Sequence, residues 1–111
     1  MKLPLSVAAW LGGVIAATAP ATTHANDAAE GRQKAQVCAV CHGQLGQSVT
    51  PDAPHLAGQP AIYTATQLRA YRSGARKHEV MAVIAKPLTD EDIAKLAAWF
   101  ASLRVSVQAP D

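Results

Sequence analysis

Two cysteines three positions apart, with a histidine directly after the second, form the densest cluster of reactive side chains in the sequence: Cys38-Ala39-Val40-Cys41-His42. Thiols at that spacing can add to the two vinyl groups of one haem, which leaves the adjacent histidine held under the iron. Three other chemistries use the same residue types. A plain disulfide gives the histidine no role, and a thioredoxin-like redox pair expects a strand before the motif. A zinc site wants four ligands, yet His55 and His78 lie far apart in the chain and no second cysteine pair accompanies them. Covalently attached haem c is the reading that employs Cys38, Cys41 and His42 together.

A six-coordinate iron needs a ligand on its other face. Once an N-terminal leader is set aside, Met81 is the only methionine left, and it falls in a segment expected to be a loop between two helices. A lone methionine usually fills a gap in a core, but here a coordination position stands open for it. A thioether favours reduced iron, so His42 with Met81 implies a higher reduction potential than two histidines would give. His78 is the alternative ligand, although its neighbours Arg76, Lys77 and Glu79 suit a solvated loop.

These side chains need a frame and a compartment. Residues 1–25 carry a single charge, Lys2, followed by an apolar run from Leu3 to Ala17 and a stretch of small residues ending at Ala25. That layout is a secretory signal peptide with its cut expected after Ala25. The apolar run is short against the roughly 20 residues of a membrane-spanning helix. Export takes the cysteines out of the reducing cytosol and sharpens the haem reading; the expected location is the periplasm. What remains, residues 26–111, has room for one domain. The whole chain is net +2, and without Lys2 the remainder is one unit lower, which argues against nucleic acid as a partner. A chain this short often needs a metal, disulfide or cofactor to secure a unique fold.

Three segments have helical patterning and none alternates like a strand, so the expected class is all-α. The first runs from Asp27 to about Val40, with Asp27 and Glu30 spaced as a capping box and Ala28, Gly31, Ala35 and Cys38 on one face. Gly31 costs such a helix about 1 kcal/mol against alanine, so something is expected to pack closely over it. The second begins at Pro60 and ends at Gly74, with Ala61, Thr64, Leu68 and Tyr71 inward. The third comes after Pro87, with Thr89 as cap, Asp92 completing a capping box, and Ile93, Leu96, Ala97, Phe100 and Leu103 on one side. Ser106 to Asp111 have the look of a frayed tail.

Taken in order, Cys38–Gly43, Pro54-His55-Leu56-Ala57-Gly58-Gln59, the run from Gln67 to Arg76, Met81, and the stretch from Asp92 to Phe100 resemble the bacterial class I cytochromes c, particularly the short single-haem carriers and the half-domains of two-haem relatives. The resemblance covers nearly all of residues 26–111. It implies a helical bundle around the haem, with the first and last helices crossing at Gly31 beneath Trp99 or Phe100. It also implies that the Pro54 carbonyl accepts a hydrogen bond from the ligating histidine, that Leu56 packs on the haem, and that His55 points outward. Residues 77–86 lack the asparagine and proline often seen beside the methionine in relatives.

The implied function is one-electron transfer with both axial ligands retained, between redox proteins such as a dehydrogenase, oxidase or reductase, with membranes met only through partner complexes. A free carrier and a haem subunit of a larger dehydrogenase both fit. A peroxidase-like or gas-binding protein requires an open iron position, which Met81 argues against. Arg72, Arg76 and Tyr71 are candidates for the haem propionates. Lys34, Lys77, Lys86 and Lys95 are candidates for steering an acidic partner.

Overall fold

The computed structural model describes residues 23–111, and Gly13 alone before them. The expected leader therefore lies outside the described residues except for Gly13 and its last three positions. The described residues form five helices in the order α1 (Thr23–Lys34), α2 (Ala39–His42), α3 (Ala61–Ser73), α4 (Glu79–Ala85) and α5 (Asp90–Ser102). There is no strand among the described residues, and the class is all-α.

The last helix is set by its own start. Thr89 Oγ1 accepts from the Asp92 amide at 3.0 Å while Asp92 Oδ2 accepts from the Thr89 amide at 3.0 Å, so two otherwise orphaned donors are satisfied. The apolar stripe then buries Ile93, Leu96, Ala97 and Phe100. Leu96 and Phe100 meet Ala35 in the centre of the core, with Cys38, Leu56, Leu68, Leu88, Trp99 and Leu103 packed around them. α3 runs between Pro60 and Gly74, with Thr64 as its buried residue, and its Leu68 packs on the same core.

α1 crosses α5 at Gly31. A Cβ on Gly31 would meet the Lys95 carbonyl oxygen at 1.9 Å and Trp99 Cβ at 2.9 Å, so the close packing expected over this residue is by the α5 backbone and Trp99. Ion pairs flank the crossing: Lys34 with Asp92 at 2.6 Å, and Lys95 with Glu30 at 2.5 Å and with Glu91. Two of the four lysines named for steering are thereby paired.

The first helix and the segment carrying Met81 differ from expectation. α1 begins at Thr23, so Asp27 lies inside the helix rather than at its cap, and it stops at Lys34 instead of running to Val40. The Ala35 amide still bonds to the Gly31 carbonyl, but the Cys38 amide then turns tightly onto the Ala35 carbonyl at 3.0 Å. That turn redirects the chain while Ala35 and Cys38 stay against the core. Met81 does not sit in a loop; it belongs to α4, a helix of seven residues.

Candidate functional site

The cysteine motif spans the turn before α2 and α2 itself. The His42 amide bonds to the Cys38 carbonyl at 2.9 Å and the Gly43 amide to the Ala39 carbonyl at 3.0 Å, which puts both thiols and the imidazole on about one helical turn. Cys38 and Cys41 are not joined to each other, and Cys38 is half-buried against the core. Burial pushes the Cys38 thiol pKa above its ordinary value.

His42 is buried, at 8 % exposure, and its Nδ1 donates to the Pro54 carbonyl oxygen at 2.8 Å. A carbonyl only accepts, so Nδ1 carries a proton, and in the neutral imidazole the lone pair then lies on Nε2. The ring is therefore oriented and its other nitrogen chemically available.

Pro54 reaches His42 because the intervening loop folds back on itself. The Gly46 carbonyl accepts from the Leu56 amide at 2.7 Å and the Ala57 amide at 3.1 Å. Gly46 has φ +71, and a Cβ there would lie 2.7 Å from the Ala57 nitrogen, so only glycine allows the two sides of the loop to approach this closely. Leu56 is half-buried and packs against the core cluster of Ala35, Leu96 and Phe100.

Met81 is half-buried on α4, which packs against α3 and is anchored by the fully buried Ala85. Its amide donates to His78 Nδ1 at 3.2 Å, so His78 is the N-cap of α4. On this helix Val80 and Val83 stay 54 % and 71 % exposed, an apolar surface flanking the thioether. Lys77 and Lys86 at the two ends of α4 are exposed and form no ion pair among the described residues.

The side chains named for the propionates make contacts within the protein. Arg72 donates to the Leu88 carbonyl at 2.9 Å and to Asp90 Oδ1 at 2.6 Å, tying α3 to the start of α5. Its guanidinium holds the Asp90 carboxyl below the usual carboxylate range. Arg76 lies over the Tyr71 ring at 4.8 Å and donates to Gln67 Oε1 at 2.7 Å. Tyr71 in turn meets the His78 ring edge-on, with centroids 6.2 Å apart. His55 is exposed, yet its Nδ1 accepts from the Ser48 amide at 2.8 Å, a contact that nothing in the sequence pattern announces.

The donor set suits haem c: two unpaired thiols on one helical turn and an oriented imidazole with a free Nε2 beside them. It does not suit zinc, since among the described residues no group of three or more His, Cys, Asp or Glu side chains is placed so as to hold a metal ion. A helix and a tight turn precede the motif, where a thioredoxin-like pair would have a strand.

Comparison with known proteins gives the same picture. The family profile described as Cytochrome c matches residues 28–104. The chain is 44 % identical over 81 residues to cytochrome c-554(548) of Halomonas halodenitrificans, covering 70 % of this chain and 98 % of that one. It is 42 % identical over 87 residues to cytochrome c4 of Pseudomonas aeruginosa, covering 78 % of this chain but 43 % of the relative. A thiosulfate dehydrogenase electron acceptor of Stutzerimonas stutzeri is 39 % identical over 69 residues, covering 60 % of this chain and 32 % of its own. The crystal structure of reduced recombinant cytochrome c4 from Pseudomonas stutzeri superposes with a TM-score of 0.68 at 36 % identity, covering 76 % of this chain and 49 % of that chain. The chain thus spans nearly the whole of the first relative and less than half of the others.

Proposed function

The chain belongs to the cytochrome c family, and on that footing we propose that it carries single electrons between periplasmic redox proteins, with the haem iron ligated by His42 on one face and Met81 on the other. The family's haem c, attached through Cys38 and Cys41, supplies a one-electron Fe(II)/Fe(III) couple.

The residues of the chain do the rest. The Pro54 carbonyl fixes the His42 tautomer and ring angle and makes its Nε2 more basic. Cys38 and Cys41 tie the group to the turn that carries His42, so ligand and ring cannot drift apart. Leu56 packs with Ala35, Leu96 and Phe100 in the apolar core, and His42 itself is buried. Met81 is delivered by a helix whose first turn is capped by His78 and whose far end is buried at Ala85. Were His42 and Met81 both to hold the iron, no coordination position would remain for a substrate, which is the reason for preferring a carrier over an enzyme.

The observation that carries this reading is the 2.8 Å bond between His42 Nδ1 and the Pro54 carbonyl, because it occupies Nδ1 and leaves Nε2 as the nitrogen for an iron to take. The test is the absorption spectrum of the purified protein, oxidised and reduced. Covalent haem with the weak far-red band of sulfur bound to ferric iron supports the carrier. Covalent haem without that band, together with ready binding of carbon monoxide by the reduced protein, sinks it.

Export belongs to the same reading. A cut after Ala25 removes only the first three residues of α1 and keeps the Asn26 to Glu30 bond at 2.7 Å, as well as the Gly31 crossing. Mass measurement of the periplasmic protein tests that cut. The similarity to a thiosulfate dehydrogenase electron acceptor supports a dehydrogenase as one partner, either transient or as a fixed complex. Co-purification with a large subunit distinguishes the two.

A further inference from the structure

The loop that positions His42 is closed by a residue with no evident role in the sequence. His42 Nδ1 donates to the Pro54 carbonyl at 2.8 Å. Pro54 is bonded covalently to His55, whose Nδ1 accepts from the Ser48 amide at 2.8 Å. The Ser48 hydroxyl donates to the Thr50 carbonyl at 2.6 Å, and the Val49 amide, next along the chain, donates to the Cys41 carbonyl at 3.1 Å. Cys41 is bonded to His42, so the path from the imidazole through Pro54, His55, Ser48, Val49 and Cys41 returns to its start.

We propose that His55 is a positioning residue for the axial histidine: by accepting from the Ser48 amide, its ring sets where the Pro54 carbonyl stands against His42 Nδ1. The inference rests on His42 being an iron ligand, as the proposed function has it.

Proline has no amide hydrogen, so Pro54 cannot be fixed through a bond of its own nitrogen, and it is exposed to solvent. Its place is set by the residues on its C-terminal side. Leu56 and Ala57 are pinned to Gly46, but those bonds lie two and three residues away. The His55 ring is the pin directly beside the carbonyl, and the Ser48 amide has no backbone acceptor in the loop to take its place. A backbone oxygen that drifts from Nδ1 withdraws less of the proton, and the imidazole then gives less electron density to the iron. Oxidised iron loses support, and the reduction potential rises.

The experiment uses the haem-loaded protein and two variants at an exposed position, where folding is not at stake. In His55→Leu the acceptor is gone; in His55→Asn the amide oxygen occupies nearly the place of Nδ1. The readouts are exchange of the His42 Nδ1 proton with solvent, monitored by NMR, and the reduction potential. In His55→Leu the proton should exchange roughly fivefold faster, the order expected when a modest hydrogen bond is lost, and the potential should rise. His55→Asn should return both toward the parent values. Unchanged exchange and potential in His55→Leu, a lowered potential there, or equal shifts in the two variants, would each overturn the proposal. A parent protein lacking covalent haem or any sign of histidine ligation overturns the carrier reading as well; a parent with both and an inert His55 overturns this inference alone.

Discussion

A methyl group on the Gly31 α-carbon would lie 1.9 Å from the Lys95 carbonyl oxygen. The obstacle is backbone, so no side-chain rotation relieves it, and α1 must lift away from α5. Gly31→Ala should therefore lower stability by about 1–3 kcal/mol through overpacking, net of the helix propensity that alanine gains, about 1 kcal/mol. The check is the urea midpoint of the haem-loaded protein, where an unchanged or higher value would contradict the crossing.

Replacing Met81 by alanine separates ligation from packing. The haem should remain covalently attached, because Cys38 and Cys41 are untouched. The far-red band should vanish, the potential should fall, and the reduced protein should become reactive to carbon monoxide. Persistence of the band would assign the sulfur elsewhere and remove Met81 from the iron.

Acid stability depends in part on Asp92. Its carboxyl is held down to about 2, against an ordinary 3.8, by the hydrogen bond from Lys34 and by the Thr89 amide. A folded value below the unfolded one stabilises the protein above the unfolded pKa, and that contribution is lost as pH falls from about 4 toward about 2. Glu30, lowered chiefly by Lys95, shifts in the same sense. Thermal melting measured downward from about pH 5 should show this slope, flattened in Asp92→Asn. Equal slopes in parent and variant would mean that the Lys34 pair is not formed in solution. Both partners are exposed enough for salt to screen much of the effect.

Charge should steer partners to one end of the molecule. Lys34 and Lys95 are neutralised by carboxylates, whereas Lys77 and Lys86 bracket the exposed Val80 and Val83 on α4. Changing Lys77 and Lys86 to glutamine should slow oxidation by anionic ferricyanide at low salt, with the difference disappearing as salt rises. Changing Lys34 should affect that rate less than either. Identical salt dependence in all variants would place the electron exit elsewhere.

Local signals make α3 and α5 legible in the sequence alone: Pro60 and Gly74 bracket one, and Thr89 with Asp92 opens the other. The cysteine motif is legible because its spacing is itself the chemistry. The break after Lys34 is not, since no proline or glycine marks it; the chain turns there because Ala35 and Cys38 must both face the core. The α4 helix is hidden for a related reason. Its cap is a histidine, outside the usual serine, threonine, aspartate and asparagine set, and seven residues are too few for a period to show. The engagement of Arg72 with Asp90, and of His55 with Ser48, joins residues that only the completed fold brings together.

The Gly31 crossing fastens the first described helix to the last, and Cys38, Cys41, His42 and Met81 all lie on the chain between them. Such a loop cannot close until α5 has been made and has found α1, and contacts so distant along the chain form slowly because the ordering of everything between them comes first. During that interval the two thiols sit on an open stretch of polypeptide, accessible from every side. The clasp between the end helices is thus the contact that shuts the stretch of chain carrying both thiols and His42 into the fold.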